Sequence, residues 1–182
     1  MLLYSYLSIC DSVDNHKNAH PKGNFNVEAD VNTILIQNFG PIGRAQINLD
    51  KNFQILIGEQ ASGKSTVSKV VYFCQKIRDY TLDFLLDETQ FSEVHPNEYF
   101  NSYMKFLQRQ FMGCFGTTKH MQKFRIVYTF QTNKITIELN DNGYIRYFFN
   151  PELKSGINRL INDAANMFLN EWNRESYCVS DR

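Results

Sequence analysis

One stretch of the chain has the residue types and the spacing of a phosphate-binding loop. Residues 58–66 read GEQASGKST and match the P-loop pattern G-x-x-x-x-G-K-S. The glycines let such a loop curl, so that successive backbone N–H groups point inward at a phosphate chain. We expect Lys64 to reach the β- and γ-phosphates of ATP, Ser65 to hold Mg²⁺ through its hydroxyl, and Thr66 to donate to the α-phosphate. The predicted site consists of Gly58, Glu59, Gln60, Ala61, Ser62, Gly63, Lys64, Ser65 and Thr66.

The sequence on each side of the loop agrees with this interpretation. Residues 53–57 read FQILI, a short apolar run typical of a strand, and residues 66–86 carry apolar side chains at helical spacing. Strand, loop and helix is the order that a P-loop requires. A chance glycine-lysine turn is the alternative, and these neighbours make it the weaker explanation.

Length and composition indicate one folded domain without a dominant charge. The chain has 182 residues, of which 43% are hydrophobic, and 19 basic side chains balance 19 acidic ones. A domain of this size buries roughly 70% of the surface that its unfolded chain exposes. No overall electrostatic field therefore attracts nucleic acid or an anionic membrane.

Cysteines and the N-terminal segment give only general expectations. The four cysteines form no C-x-x-C pair, which predicts reduced thiols in the cytoplasm. Residues 1–10 are apolar but too short to span a bilayer, so no membrane segment is expected. We predict a loosely ordered arm over residues 1–31 and the lobe that holds the P-loop over residues 32–182. Pro21 disfavours the helix that would bring His16 and His20 together as metal ligands.

Two strands are predicted before the P-loop. Residues 33–37 are apolar in the manner of a buried strand, and residues 44–49 alternate apolar with polar side chains. Residues 38–43 between them are rich in turn formers, and residues 50–52 form a second turn that leads to the P-loop strand.

The helix after the loop contains a sequence that resembles another nucleotide-site motif. Residues 84–88 read FLLDE, similar to a Walker B strand that ends in an acid pair. The helical period continues through this stretch, and it follows Lys64 closely along the chain. We therefore favour a helix end with Asp87 and Glu88 in solvent over a Walker B strand.

A second helix is predicted over about residues 97–112, ended by Gly113. Its aromatic side chains recur at helical spacing, which is typical of a core face. From residue 105 to residue 134, basic residues recur without an intervening acid. They predict either an ordinary solvated face or a surface that binds single-stranded nucleic acid. These basic residues are Lys105, Arg109, Lys119, Lys123, Arg125 and Lys134.

Residues 124–149 predict an antiparallel meander. Three strand-like runs, at 124–130, 134–139 and 144–149, are joined by connections of hairpin length. Asn150 as N-cap and Pro151 at the first helical position then begin a further helix. The predicted fold class is α/β, a strand, P-loop and helix unit with an antiparallel meander, flanked by helices.

The order of these elements resembles a known family. The motifs IQNFG at residues 36–40 and ILIGEQASGKST at residues 55–66 are similar to the N-terminal lobe of ABC-type ATPases of the RecF, SMC and OLD kind. Bacterial "AAA family ATPase" proteins of DNA repair and phage defence look similar. The resemblance implies that ATP and Mg²⁺ bind at residues 58–66. It also implies a basic residue near the first strand that touches phosphate, and Arg44 is the nearest candidate.

In the resembled family, the other catalytic motifs come from the later half of the chain. Lys154, Ser155 and Gly156 only faintly match its signature motif, and Asn150 with Pro151 already begins that helix. The resemblance therefore implies an incomplete ATPase domain that hydrolyses ATP only with a C-terminal lobe or a second protein chain. ATP-dependent homodimerisation and nucleic-acid binding stay open. The alternatives are a P-loop kinase for a small substrate and an interaction module with a vestigial P-loop.

Overall fold

A computed structural model describes residues 32–51, 53–92, 94–117 and 121–179, with no side chains given from 171 onward. The predictions for the arm at 1–31, its histidines and Cys10 lie outside these residues, as does the side chain of Cys178. The two described cysteines, Cys74 and Cys114, are free thiols.

The predicted strand pair and the predicted meander are both present, and they form a single sheet. The sheet has five antiparallel strands in the order β2-β1-β3-β4-β5. Pairing of β1 with β3 joins the two predicted units, which are far apart in sequence. The strands are β1 Thr33–Phe39, β2 Ile42–Asn48, β3 Arg125–Phe130, β4 Asn133–Leu139 and β5 Ile145–Phe149.

Helices follow the predicted order, with one corrected boundary. The helix predicted to stop at Gly113 continues to Phe115, because an exposed helical glycine lowers stability without ending a helix. Gly116 ends it instead, with φ 81 and its N–H bonded to the Met112 carbonyl at 2.8 Å. The helices are α1 Lys64–Leu86, α2 Thr89–Ser92, α3 Tyr99–Phe115 and α4 Pro151–Val179, with a 3-10 turn at Pro96–Glu98.

The core lies between the helices and one face of the sheet, which we call the inner face. The predicted aromatic stripe of α3 belongs to this core, since Tyr103, Leu107 and Phe111 are fully buried. The Tyr147 hydroxyl donates to the Leu107 carbonyl at 3.0 Å and thereby ties β5 to α3. The inner face carries Ile34 and Ile36 of β1, Ile126 of β3, Ile135 and Ile137 of β4, and Tyr147 of β5.

A left-handed residue near the end of β1 changes which side chain enters the core. Simple alternation would put Phe39 on the same face as Gln37. Asn38 has φ 54, and Phe39 is buried against Phe111 and Phe124. Asparagine tolerates this backbone conformation better than most residues. The turn after β1 is thereby directed toward the P-loop.

The predicted strand before the P-loop is not observed as a strand. Residues 53–59 have no regular secondary structure, and within the described part of the chain their backbone pairs with no strand. Phe53, Ile55 and Ile57 are 79%, 68% and 90% exposed. A strand of this apolar type needs neighbours on both edges and both faces, and the described sheet supplies none of them.

Candidate nucleotide-binding site

The loop expected to bind phosphate is compact and leads directly into α1. The Ser62 N–H donates to the Glu59 carbonyl at 3.3 Å, and the first helical bond joins the Val67 N–H to the Gly63 carbonyl at 2.9 Å. Ala61 and Gly63 have φ values of 63 and 92. Left-handed residues beside helical ones orient successive N–H groups into a concave anion site.

Lys64 carries a positive charge that no carboxylate in the described residues neutralises. Its ammonium Nζ donates to the carbonyls of Gly58 at 2.7 Å and Glu59 at 2.5 Å, and to the Ser62 hydroxyl at 3.3 Å. These acceptors are neutral, whereas phosphate oxygens are charged and bind an ammonium more strongly. The side chain is therefore held over the loop, where a phosphate chain can replace its carbonyl partners.

The N-terminus of α1 is also free to bind an anion. Its N-cap is Gly63, which has no side chain, and its first turn contains no acidic residue. The helix dipole and the N–H groups of this first turn are therefore not satisfied by a capping side chain. A helix of 23 residues that begins in this way suits a bound phosphate group.

Both glycines of the motif lie where a β-carbon would make a close contact, and Gly63 also has a positive φ. A β-carbon on Gly58 would approach the Ser62 hydroxyl oxygen to 2.9 Å. One on Gly63 would lie 2.9 Å from Ile42 Cγ1 and 3.2 Å from Pro41 Cγ. The turn between β1 and β2 thus packs directly against the end of the loop. The sequence analysis did not predict these contacts of Pro41 and Ile42 with the loop. The short turn at residues 40–41 was the only feature of the sequence that pointed to them.

Ser65 and Thr66 occupy the first turn of α1 beside Lys64. Ser65 is exposed, and Thr66 lies close to the turn, since a β-carbon on Gly40 would be 3.9 Å from its methyl group. Among the described residues, no group of three or more histidine, cysteine, aspartate or glutamate side chains could hold a metal ion. A Mg²⁺ ion here would bind the Ser65 hydroxyl together with phosphate oxygens and water, which is common for Mg²⁺ with nucleotides.

Arg44 lies in β2, opposite Gln37 of β1, with its side chain exposed. It follows Ile42, which contacts Gly63, but no hydrogen bond or ion pair in the described chain joins Arg44 to the loop. Its contact with a nucleotide phosphate stays a prediction.

Asp87 and Glu88 terminate a helix, as the sequence favoured, and do not form a Walker B strand. Helix α1 ends at Leu86, with Asp87 as its C-cap. The Asp87 carboxylate accepts hydrogen bonds from the Thr89 hydroxyl at 2.6 Å and the Gln90 amide at 2.8 Å. These bonds lower the pKa of Asp87, those from the side chains of Thr89 and Gln90 most strongly. The carboxylate is therefore used to begin α2.

Two other sequence hypotheses change with the structure. Lys154, Ser155 and Gly156 lie inside α4, with the Lys154 ammonium over the Phe100 ring at 5.4 Å. The run of basic residues does not form one surface: Lys105 and Arg109 lie on α3, whereas Arg125 and Lys134 lie in the sheet. Sequence order did not reveal this split, because the two groups belong to elements on different sides of the core.

Residues 30–177 match the model of a family described as AAA ATPase domain. The chain belongs to this family. No match was found among curated proteins or among solved structures. Membership in the AAA ATPase domain family supports ATP binding. None of the described helices is long and apolar enough to cross a membrane.

Proposed function

We propose that this member of the AAA ATPase domain family is the ATP-binding lobe of an SMC- or RecF-like ATPase. It binds Mg·ATP at residues 58–66 and works in the cytoplasm, in DNA repair or phage defence. The observation that carries the proposal is Lys64, whose ammonium lies over the loop among neutral acceptors at the free N-terminus of α1. Such a cation beside an uncapped helix end is complementary to a phosphate chain.

The surface in front of the P-loop supports the proposal of a second lobe. The side chains of Phe53, Ile55 and Ile57 point into solvent, while Leu56 lines a groove of about 380 Å³ between β2 and α1. The Gln54 amide donates to the Asn48 carbonyl and holds the segment beside β2. Tyr72 on the opposite wall of the groove is 55% exposed. Exposed apolar side chains that cluster in this way are typical of a binding surface for protein.

The unpaired backbone of residues 53–57 indicates how the second lobe would bind. In the described chain, neither edge of this segment is hydrogen-bonded to a strand. Apolar runs of this kind are typical of parallel strands that are covered on both faces. We propose that the second lobe supplies strands to these edges, either from the same polypeptide or from another chain. ATP-dependent homodimerisation would bring two such completed sites together.

Hydrolysis depends on this second lobe. Catalysis of phosphoryl transfer rests on positioning and charge stabilisation, so it needs a carboxylate that orients the attacking water and a further donor to the γ-phosphate. The Asp87 carboxylate already caps α2, and among the described residues no carboxylate accepts a hydrogen bond from Lys64 of the loop. Loss of such groups lowers rates by roughly 10² to 10⁴. The isolated chain should therefore hold ATP without turning it over.

The structure disfavours the alternative of a small-substrate kinase. Such an enzyme needs parallel strands after the P-loop helix, whereas β3, β4 and β5 are antiparallel to their neighbours. An interaction module with a vestigial P-loop differs by having no nucleotide affinity, which a binding measurement decides.

Two measurements on the purified chain test the proposal. ATP turnover should be negligible; turnover near 1 s⁻¹, at the low end of ordinary enzyme rates, would overturn the need for a second lobe. Amide hydrogens of residues 53–57 should exchange rapidly in the isolated chain, because no strand protects them. Strong protection of these amides in the monomer would show that the segment is already paired.

A further inference from the structure

One row of residues runs across all five strands on the face opposite the core, which we call the outer face. Strand register places Gln37 of β1 beside Arg44 of β2 and beside Arg125 of β3. Glu138 of β4 follows, and Arg146 of β5 completes the row. Three arginines therefore lie in line at alternate strands, about 9.5 Å apart. We call Arg44, Arg125 and Arg146 the arginine row.

The arginine row is available to bind an anion. All three side chains are exposed, and none forms an ion pair with a carboxylate in the described residues. The nearby Lys123 differs, because it is paired with Asp141. Glu138 lies between Arg125 and Arg146 in the same row and offsets one of the three positive charges. The row therefore has a formal net charge of +2, from three arginines and one glutamate, in a chain whose formal net charge is zero.

An apolar row lies next to the arginines on the same face. Leu35, Val127 and Phe148 share one register row, with Thr136 between Val127 and Phe148, and Phe148 is 46% exposed. At the end of the sheet, Arg125 and Arg146 line a shallow depression of about 440 Å³, whose other charged lining residues are Lys123, Glu138 and Asp141. A sheet face that combines arginines with an exposed aromatic ring can bind phosphates and stack a base at the same time.

We propose that the outer face of the sheet binds single-stranded nucleic acid. The arginine row contacts phosphates of the strand, and Phe148 stacks on a base. A single strand fits better than a duplex because only an unstacked base can lie on the ring of Phe148. The proposal goes beyond ATP binding and does not depend on it.

Fluorescence anisotropy with a labelled 20-nucleotide oligothymidylate tests this surface on the full chain. The double variant Arg125→Ala/Arg146→Ala removes two arginines and leaves Arg44, the residue also predicted to touch ATP. We expect it to weaken binding at least tenfold and to flatten the slope of log K against log salt by roughly 1.4. Phe148→Ala should weaken binding about 5- to 100-fold with an unchanged salt slope.

A matched control removes the same charge elsewhere. Lys105→Ala/Arg159→Ala takes two exposed cations from α3 and α4, and we expect it to bind the oligonucleotide nearly as wild type does. Arg125→Lys/Arg146→Lys retains the charge and should recover most of the affinity. Circular dichroism melting of each variant checks that the sheet is intact, and Mg·ATP affinity should not change in Arg125→Ala/Arg146→Ala.

Four outcomes would overturn the proposal. The first is that wild type does not bind the oligonucleotide at low salt, and the second is that the sheet and helix double variants lose equal affinity for it. The third is that the chain binds duplex DNA with an affinity that Phe148→Ala does not change. The fourth is that Arg125 and Arg146 are needed for binding to phosphatidylserine vesicles but not for binding to the oligonucleotide. If Lys64→Ala loses ATP binding but binds the oligonucleotide normally, nucleic-acid binding is independent of the ATP site, as proposed.

Discussion

Gly63 of the P-loop and Ile42 of β2 are packed so closely that a β-carbon on Gly63 would lie 2.9 Å from Ile42 Cγ1. The contact joins the start of α1 to the turn between the first two strands. The glycine also has φ 92, a conformation that side chains disfavour. Sheet and loop therefore hold each other in place at this position.

Gly63→Ala should disturb the P-loop for both reasons. The left-handed backbone alone costs roughly 1 to 2 kcal/mol with a side chain, and the clash with Ile42 adds to it. We expect Mg·ATP affinity to fall about tenfold or more, measured by calorimetry. Gly43→Ala is the control, because a β-carbon there meets nothing within 4 Å. Equal affinities of the two variants for Mg·ATP would contradict the packing argument.

Local sequence signals predicted the sheet and helices well but not how they assemble. The hairpin-length joins at residues 132–133 and 141–143 indicated the meander, and helical periodicity in residues 66–86 indicated α1. Pairing of β1 with β3 depends on contacts between distant segments, which periodicity does not encode. The prediction of a strand at residues 53–57 was wrong for the described chain. Its apolar composition is typical of a strand with covered faces, but Phe53, Ile55 and Ile57 are exposed.

The hydroxyl of Tyr103 gives a prediction about alkaline unfolding. Burial raises the pKa of Tyr103 from 10.0 to about 12, against a smaller opposite effect of its bond to Thr81. Thr81 donates to the Ile77 carbonyl, so Tyr103 donates to Thr81 at 2.8 Å. Because the folded-state pKa is the higher one, the stability is present below pH 10 and is lost as the pH rises toward 12.

Tyr103→Phe should therefore make stability less steeply dependent on pH in this range. The lost stabilisation of wild type is about 3 kcal/mol, from roughly 1.36 kcal/mol for each pKa unit. Urea unfolding at several pH values measures it. Tyr144→Phe is the control, because it removes the same hydroxyl from a tyrosine that is 68% exposed. If the free energy of unfolding of Tyr103→Phe falls with pH as steeply as that of wild type, another group causes the loss of stability.

Glu88→Gln tests the assignment of residues 84–88 to a helix end. Glu88 is exposed and its neighbour Asp87 caps α2, so the substitution should leave nucleotide affinity and any turnover unchanged. Analytical ultracentrifugation with ATP provides a second measurement. A trapped, ATP-bound dimer in this variant would show that the acid pair is a Walker B motif after all.

Ile57→Asp tests the exposure of the segment before the P-loop. Ile57 is 90% exposed, so the free energy of unfolding of the isolated chain should change by no more than about 0.5 kcal/mol. Ile137→Ala, at a fully buried position of β4, should cost roughly 2 to 5 kcal/mol. A large loss in Ile57→Asp would mean that this face is covered within the monomer.

In the candidate site too, the sequence predicted the local motif but not the contacts between segments that are distant along the chain. The motif at residues 58–66 identified the loop, because its glycines and lysine are needed for local reasons. The supporting contacts of Pro41 and Ile42, and the arginine row on the outer face, arise from strand register and turn packing. Such relationships join residues from several strands and leave no pattern in a single segment.

The central claim, that Lys64 belongs to a working ATP site, is tested most directly by calorimetric titration of the chain with Mg·ATP. Wild type should bind, and Lys64→Ala should bind about 10- to 100-fold more weakly, because charge-assisted hydrogen bonds contribute roughly 1.5 to 3 kcal/mol. Lys69→Ala removes an exposed lysine of the same helix and should bind as wild type does. Equal affinity of wild type and Lys64→Ala, or no binding by wild type, would contradict the account.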